Sequence, residues 1–325
     1  MIPGVGFNAP KWIVFQLLQQ CNLRCRMCYE WGESGSYHDN ENLSMLDYTV
    51  VKQVVSDCLP GKPYFGLFGG EPFLHPQIFD IIRVIKEGGC GLDIPTNGTL
   101  IENYADSLVE SPPNRLWISL DGPPEINDYQ RGKGVYRKVI RGIEKLYQIR
   151  ETKGKAFPKI GVTYILTPWN HTFVEEFFFN CLDLDKIDHL SIEFQFYATE
   201  DQYNAYAEIL SSKFNISVAP CAKGIVQDPS KFAEMDFEKI TDQIKKVRHL
   251  CEEKNIYFIA YPKTIELNNI RNFFTCQWHQ MVDKQLHCAF PWIYAEVAAN
   301  GDVTVCHTFY DLPIGNVNQT RILDI

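Results

Sequence analysis

The sequence has no apolar run that approaches the roughly 18 residues of a membrane-spanning helix. Its first ten residues lack the basic and apolar regions of a signal peptide. Positive charge is not in excess either, because 31 Lys and Arg stand against 40 Asp and Glu, for a net charge of −9. This balance disfavours binding to a nucleic-acid backbone. Eleven cysteines in 325 residues are too few for a disulfide scaffold. We expect a soluble cytoplasmic protein with no nucleic-acid or membrane partner, whose cysteines are thiols or metal ligands.

What is present is an alternation of short apolar strands and amphipathic helices. Hydrophobic residues make up 45% and charged residues 22% of the chain, which excludes disorder, collagen and coiled coil. Six strands are predicted, at 12–17, 64–68, 92–95, 116–120, 160–166 and 190–196. Six such repeats predict a parallel sheet, open or curled into a partial barrel, with ligand chemistry at the carboxyl ends of its strands.

The pattern changes after about residue 225. A charged helix is predicted at 237–253 and a strand at 257–261, and from Cys276 the segment is rich in cysteine and aromatic residues. Two short strands, at 293–297 and 303–305, flank Asn300-Gly301, a strong hairpin signal. We predict an α/β protein of two domains, residues 1–225 and residues 226–325, the second a small cysteine-rich α+β domain.

Three cysteines follow the first strand directly. Cys21, Cys25 and Cys28 form a C-x3-C-x2-C motif, and three thiolates so close together can hold one face of an iron–sulfur cube. Structural zinc sites usually have four ligands, so this loop is a poor zinc site unless a distant residue completes it. The spacing alone leaves zinc, or no metal, as alternatives.

These cysteines resemble the signature of the radical S-adenosylmethionine superfamily. Three further motifs follow in the family's order, one after each of strands two to four: Gly69-Gly70-Glu71-Pro72, Thr96-Asn97-Gly98 and Ser119-Leu120-Asp121-Gly122. The resemblance covers about residues 11–200 and is to the subfamily that includes sulfatase-maturating enzymes and peptide maturases. It implies a partial (β/α)6 TIM-like barrel, a [4Fe-4S] cluster, S-adenosylmethionine, and an external low-potential electron donor of the flavodoxin or ferredoxin type.

The resemblance also implies a set of residues that bind S-adenosylmethionine: Met27, Gly69, Gly70, Glu71, Asn97, Ser119 and Arg131. Met27 would pack on the adenine, and the glycines would let the backbone approach the ligand. Glu71 would receive the ammonium group, while Ser119 and Arg131 would bind a ribose hydroxyl or the carboxylate. The ordinary alternatives are a strand-to-helix turn for the glycines, a solvated acid for Glu71 and a surface charge for Arg131.

A second cysteine motif lies near the end of the sequence. Cys288, Gly301 and Cys306 form C-x12-G-x4-C, which resembles the start of the SPASM or twitch extension and implies an auxiliary [4Fe-4S] cluster. Cys276 is the weakest predicted ligand of this set. The sequence ends at Ile325, before the family's later C-x2-C cysteines, so we expect either a longer natural chain or an abbreviated extension. A zinc hairpin and free thiols are the alternatives.

Two further residues are candidate catalytic groups. Sulfatase-maturating enzymes have an aspartate directly after the second cysteine of this motif, whereas this sequence has His307, a candidate base. Cys221 lies in a loop after the barrel and is either a hydrogen-atom donor or a free thiol.

We therefore predict an enzyme that cleaves S-adenosylmethionine reductively to a 5′-deoxyadenosyl radical, which removes a hydrogen atom from the substrate. The His307 mismatch, and the mere ten residues before the first strand, favour a small-molecule or sugar-like substrate that is oxidised or epimerised. A short peptide is the alternative substrate. A non-catalytic zinc or iron–sulfur protein is the alternative class.

Overall fold

Parallel strands alternate with helices through most of the computed structural model, which describes residues 9–284, 288–306 and 310–325. The strands are β1 (Trp12–Gln16), β2 (Tyr64–Phe68), β3 (Gly91–Thr96), β4 (Arg115–Ser119), β5 (Lys159–Leu166), β6 (His189–Phe194), β7 (Tyr257–Tyr261), β8 (Tyr294–Val297), β9 (Asp302–Thr304) and β10 (Gly315–Asn316). The helices are α1 (Tyr48–Cys58), α2 (Ile78–Glu87), α3 (Ile101–Glu110), α4 (Pro124–Arg131), α5 (Val135–Thr152), α6 (Val174–Glu176), α7 (Glu200–Phe214), α8 (Pro220–Gly224), α9 (Ser230–Ala233), α10 (Phe237–Glu253), α11 (Leu267–Phe274) and α12 (Phe290–Ile293). None of the described helices has the length and apolarity that crossing a membrane requires.

All ten strands belong to one sheet, in the order β10-β9-β8-β1-β2-β3-β4-β5-β6-β7. Strands β1 to β8 pair in parallel, and β9 and β10 pair antiparallel. The sheet ends at β7 and β10 without closing, which confirms the predicted partial barrel with a small C-terminal region. Strands from the last hundred residues extend both edges of the six-stranded unit. The domain boundary near residue 225 stays a prediction.

The sheet has an apolar face toward the helices and a polar face opposite. In β3, Leu92 and Ile94 are buried in the main core, while Asp93 between them accepts hydrogen bonds from Arg115 and Trp117. Helix α2 contributes its own apolar stripe to that core: Ile78, Ile81, Ile82 and Ile85. This alternation leaves polar side chains inside the barrel, where a ligand site needs them.

The chain between β5 and β6 differs from an ordinary crossover helix. The aromatic-rich segment 173–182 forms the short α6 and then a π-helical turn, Phe177–Cys181. Phe177 and Phe178 pack on Tyr164 of β5, with ring centroids 5.6 and 5.5 Å away. Burial of these rings, not a long apolar stripe, holds this crossover to the sheet.

Candidate active site

The loop that carries Cys21, Cys25 and Cys28 leaves the carboxyl end of β1 and runs beside the loop after β2. The Gly70 N–H donates to the Leu18 carbonyl oxygen at 2.9 Å, and the Glu71 N–H donates to the Gln20 carbonyl oxygen at 2.9 Å. The three cysteines are free and partly exposed. The main-chain hydrogen bonds between β1 and β2 thus continue beyond the ends of the two strands, and they fix the start of the cysteine loop.

The glycines of this loop allow that contact. A Cβ on Gly70 would lie 2.1 Å from the Gln20 carbonyl oxygen, and a Cβ on Gly69, whose φ is +137°, would lie 2.5 Å from the Leu18 carbonyl oxygen. Neither position has room for a side chain. The close approach is therefore between two protein loops, and the predicted contact of these glycines with S-adenosylmethionine stays a prediction.

Glu71 lies in the interior, between two loops at the carboxyl ends of the strands. The side chain is fully buried, and it accepts hydrogen bonds from the Phe73 N–H, the Thr96 hydroxyl and the Asn97 N–H. Burial raises the pKa of its carboxyl to about 7, although these hydrogen bonds act in the opposite direction. The solvated-acid alternative for Glu71 is wrong, because its side chain has no exposed surface, and its contact with an ammonium group stays a prediction. Its carboxyl ties the loop after β2 to the loop after β3.

The loop after β3 braces Cys21. The Asn97 Nδ2 donates to Asn22 Oδ1 at 2.8 Å and lies 4.0 Å from the Cys21 sulfur. Asn22 in turn donates to the Thr99 hydroxyl at 2.9 Å. The motifs identify Asn97 but not its partners, because Asn22 is at an unspecified position between Cys21 and Cys25 and Thr99 follows Thr96-Asn97-Gly98.

Helix α4 braces the middle of the cysteine loop. The Arg26 N–H donates to the Gln130 carbonyl oxygen and its Nε to the Tyr129 carbonyl oxygen, both at 2.8 Å. The Arg26 guanidinium also lies 4.4 Å from the centroid of the Tyr129 ring. The segment between Cys25 and Cys28, which includes the half-buried Met27, is thereby held over the barrel mouth.

Arg131 forms a buried ion pair at the same place. Its Nε lies 2.5 Å from Asp121 Oδ2, with 8% of Arg131 and none of the Asp121 side chain exposed. The second Asp121 oxygen accepts the Ile165 N–H at 2.8 Å. Burial raises the pKa of the Cys25 thiol, and the charge of the Arg131 guanidinium acts in the opposite direction. The surface-charge alternative for Arg131 is therefore wrong.

Three side chains with hydroxyl groups are neighbours across adjacent strands of the sheet. Ser119 at the end of β4 is opposite Thr163 of β5, which is opposite Ser191 of β6. Ser119 is half-buried. Its predicted bond to a ribose hydroxyl or carboxylate stays a prediction.

The three thiols suit an iron–sulfur cube. Burial raises the pKa of Cys21 and Cys25 to about 11 and that of Cys28 to about 12, so cluster binding must release their protons. The Trp31 N–H donates to the Cys28 sulfur at 3.3 Å and the Leu23 N–H to the Cys21 sulfur at 3.5 Å. Within residues 9–284, 288–306 and 310–325, no three His, Cys, Asp or Glu side chains are grouped around one metal position. In a cube each thiolate binds a different iron, so the three sulfurs need not surround one metal position.

A cavity of about 370 Å³ opens between the loops that follow β5 and β6. Trp169, His171, Gln195 and Lys231 are among the residues that line it. Gln195 is buried, and its Oε1 has no hydrogen-bond partner in the part of the chain that the structure describes. The Trp169 ring packs edge-on against Tyr129, with 6.1 Å between centroids, so the cavity adjoins the segment that braces the cysteine loop. These residues form no sequence motif, so only their arrangement in the fold identifies them.

The C-terminal cysteines are only partly brought together. Asn300-Gly301 forms the turn between β8 and β9, with a φ of +89° at Gly301. Cys288 is exposed and Cys306 half-buried, one on each side of this hairpin. Cys276 is half-buried and packs against the main apolar core. His307 lies outside the described residues.

Comparison with known proteins agrees with this arrangement. Residues 16–164 match the radical SAM superfamily, and residues 288–325 match SPASM, an iron–sulfur cluster-binding domain. The chain is 30% identical over 172 residues to the "tungsten-containing aldehyde ferredoxin oxidoreductase cofactor-modifying protein" of Pyrococcus furiosus, over 51% of this chain and 46% of that protein. It is 32% identical over 158 residues to the AdoMet-dependent heme synthase of Methanosarcina barkeri, over 46% and 44%. The matches span about half the length of these curated relatives.

The fold has a solved counterpart. Streptococcus suis SuiB bound to S-adenosylmethionine superposes with a TM-score of 0.67 at 16% identity, over 98% of this chain and 65% of that one. At this identity the similarity shows the fold alone. The first family match implies a [4Fe-4S] cluster and S-adenosylmethionine, and the second implies auxiliary iron–sulfur binding, as the sequence predicted.

Proposed function

Because this chain belongs to the radical S-adenosylmethionine superfamily, we propose that it is an enzyme that removes a hydrogen atom from a small-molecule or sugar-like substrate, with oxidation or epimerisation as the outcome. When bound, the [4Fe-4S] cluster and S-adenosylmethionine supply a 5′-deoxyadenosyl radical by reductive cleavage of the sulfonium. The observation that carries the proposal is the Cys21, Cys25 and Cys28 loop, braced on two sides and adjoining the buried Arg131 guanidinium.

Separate residues of this chain would bind the cluster and S-adenosylmethionine. The three thiolates hold the cluster, and Asn97 and Arg26 keep their loop in place over the barrel. Asp121 orients the Arg131 guanidinium, which we assign to the carboxylate of S-adenosylmethionine, because a charge-assisted bond at a buried position is strong. Ser119 and Met27 are assigned to the ribose and the adenine.

The cavity beside Trp169 supports a small substrate. Its volume of about 370 Å³ is within the usual range for small-molecule sites. Gln195, whose buried Oε1 has no partner among the described residues, would donate or accept hydrogen bonds to a polar substrate. The names of the curated relatives, a cofactor-modifying protein and a heme synthase, point the same way.

A peptide substrate is the second candidate. SuiB has also been solved bound to its precursor peptide SuiA, and it shares the fold over 98% of this chain.

Either substrate requires an external reductant, for which we propose a flavodoxin or ferredoxin type donor. The cysteines are all free thiols, which persist in a reducing compartment, so we propose a cytoplasmic location.

The test is formation of 5′-deoxyadenosine. The protein is reconstituted without oxygen with iron and sulfide, reduced with dithionite in the presence of S-adenosylmethionine, and assayed by mass spectrometry. Wild type and a Cys181→Ala control, which removes a partly exposed thiol far from any motif, should form 5′-deoxyadenosine, and Cys25→Ala should form none. Absence of the product in wild type, or its persistence in Cys25→Ala, would refute the proposal.

Candidate substrates are then compared in deuterated water. One solvent deuterium in a product of otherwise unchanged composition means epimerisation, whereas a product two hydrogens lighter means oxidation. Turnover of peptides and of none of the small molecules would replace the small-molecule assignment by the second candidate.

A further inference from the structure

The cavity of about 370 Å³ beside Trp169 is lined by both apolar and polar side chains. Phe232 and Met235 belong to the main core, and Pro168 and Trp169 line the cavity together with them. Its polar residues are His171, Gln195, Gln227, Lys231 and Glu234. A site of this composition binds a small ligand through its apolar surface and selects it through a few polar groups.

The loop after β5, which forms one side of this cavity, is fixed to residues next to Arg131. The Thr167 hydroxyl donates to Gln130 Oε1 at 2.7 Å, and Asn170 Nδ2 donates to the Asp121 carbonyl oxygen at 3.0 Å. All four of these residues are buried. The cavity therefore adjoins the elements to which we assign the binding of S-adenosylmethionine.

His171 lines the cavity with only one of its ring nitrogens bound to the protein main chain. Its Nδ1 lies 2.9 Å from the Pro168 carbonyl oxygen. Because a carbonyl oxygen only accepts, Nδ1 carries the proton, and Nε2 of the neutral ring is an acceptor. Burial lowers the pKa of His171, and the charges of Asp236 and Lys239 act on it in opposite directions. The ring is therefore neutral at neutral pH.

Gln195 supplies a second acceptor. Only 7% of this residue is exposed, and its Oε1 has no hydrogen-bond partner among residues 9–284, 288–306 and 310–325. A buried carbonyl oxygen without a hydrogen bond is costly, and most such groups in folded proteins are paired. A ligand that donates to this oxygen removes the cost.

The charged residues at the cavity have opposite signs. Lys231 and Glu234 are both exposed, so together they give the cavity no net charge that would select an ionised ligand. Lys231 and the Gln227 amide can donate hydrogen bonds, whereas the two acceptors need donors. A hydroxyl group both donates and accepts, so a ligand with several hydroxyls suits both kinds of side chain.

We propose that His171 Nε2 and Gln195 Oε1 accept hydrogen bonds from two hydroxyl groups of an uncharged ring polyol, a sugar or a cyclitol, and thereby select the substrate. Trp169 and the apolar residues beside it receive the C–H face of the ring. This assignment rests on the proposed function and narrows its substrate class. A site that pairs buried polar groups with substrate hydroxyls discriminates strongly against analogues that lack them.

Binding is measured by saturation-transfer difference NMR on the anaerobically reconstituted protein with S-adenosylmethionine and without reductant. The probes are myo-inositol, glucose, galactose and ribose, and the comparison ligands are glucose 6-phosphate, cyclohexanol and a capped tripeptide that contains serine. At least one of the four polyols should bind with a Kd of about 1 mM or tighter. Cyclohexanol, which has a single hydroxyl, should bind much more weakly.

Two variants test the acceptors. His171→Phe and Gln195→Leu should each bind the same polyol about five- to a hundred-fold more weakly, because a substrate hydroxyl then has no partner. His249→Phe, at an exposed histidine of α10, is the matched control and should bind like wild type. Thermal unfolding of all three variants checks that they fold.

A second measurement reports on His171 directly. In protein labelled with nitrogen-15 histidine, its Nε2 resonance is identified by its absence in His171→Phe. This resonance should have the chemical shift of an unprotonated nitrogen, and it should move when the polyol binds. A histidine with a purely structural role would show no such movement.

The assignment is overturned if none of the polyols binds to wild type, if cyclohexanol binds equally well, or if both variants bind like wild type. A protonated Nε2 in the free protein also overturns it. Binding of glucose 6-phosphate alone would replace the ligand class by an anion, and binding of the tripeptide alone would replace it by a peptide. Failure of the proposed function is a separate result, because wild type would then form no 5′-deoxyadenosine, whether or not it binds a polyol.

Discussion

A buried guanidinium next to a buried carboxylate gives Arg131 a structural role, in addition to the cofactor contact proposed for it. The Arg131–Asp121 pair is nearly inaccessible to solvent, and Asp121 also receives the Ile165 N–H of β5. Burial raises the pKa of Asp121, although the guanidinium acts in the opposite direction. The pair thus joins α4, the loop after β4 and β5 at the point where the ligand would bind.

We predict that Arg131→Ala lowers the free energy of unfolding by about 3–5 kcal/mol, because Asp121 is left buried without its partner. Denaturant unfolding of the protein without cofactors measures this loss. The double variant Asp121→Asn, Arg131→Ala should recover part of it. An unchanged stability in Arg131→Ala would contradict the importance of the pair.

Where Arg131→Ala still folds, its affinity for S-adenosylmethionine should be about ten- to a hundred-fold lower, with the iron content unchanged. A charge-assisted hydrogen bond contributes about 1.5–3 kcal/mol, and each 1.4 kcal/mol is tenfold in affinity. Calorimetric titration of the reconstituted protein measures the change. Equal affinity would remove Arg131 from the binding residues and leave it a structural role alone.

A second residue-scale prediction concerns pH. Burial raises the pKa of Glu296 from 4.5 to about 7, although the Tyr294 and Tyr310 hydroxyls that bond to it act in the opposite direction. The folded state thus holds this proton more tightly than the unfolded state. The resulting stabilisation is complete below about pH 4.5 and is lost as the pH rises to about 7.

Glu296→Gln removes this titration. The free energy of unfolding of wild type, minus that of the variant, should therefore fall by about 3 kcal/mol between pH 4.5 and pH 7. Denaturant unfolding of both proteins across this range gives the difference. A difference that does not depend on pH would show that the pKa of Glu296 is the same in the folded and the unfolded protein.

Among the connecting elements, the loop after β2 depends most on glycine. Gly70→Ala would place a methyl carbon 2.1 Å from the Gln20 carbonyl oxygen, so the cysteine loop must move. We predict a loss of about 1–3 kcal/mol in stability and a lower iron content at the first cluster. Denaturant unfolding and iron analysis of the reconstituted protein test both.

Gly61→Ala is the matched control. A Cβ there meets nothing closer than the Ala9 side chain at 3.3 Å, so its stability should stay within about 0.5 kcal/mol of wild type. If Gly70→Ala behaved like this control in both stability and iron content, close packing would not be the reason for glycine at position 70.

At the scale of the whole molecule, the C-terminal strands share the sheet of the barrel. Trp12 to Phe15 of β1 pair with β2 on one side and with β8 on the other. Arg321 near the C-terminus forms an ion pair with Asp57 of α1. The hairpin is therefore held to the barrel by main-chain hydrogen bonds as well as by side chains.

We predict that β8 unfolds together with the barrel. In hydrogen exchange followed by mass spectrometry, peptides that cover Tyr294–Val297 should exchange as slowly as those that cover Tyr64–Phe68, because amides in one cooperative unit share its opening free energy. Exchange of β8 at a rate several orders of magnitude faster would mean that the C-terminal region opens independently.

The sequence by itself determined what depends on short spacings. The strand-and-helix alternation, the C-x3-C-x2-C loop, the Gly69-Gly70 motif and the Asn300-Gly301 turn each involve residues a few positions apart. Their local geometry follows from residue type and spacing alone. These signals were sufficient for the partial barrel and for the resemblance to the superfamily that residues 16–164 match.

Only the tertiary structure decided the relations between distant segments. The burial of Glu71, its bonds to Thr96 and Asn97, the Arg131–Asp121 pair and the docking of Asp311 on Cys221 all join residues from different loops. The pairing of β8 with β1 joins segments about 280 residues apart. No local pattern encodes such contacts, because they depend on how all the strands pack at once.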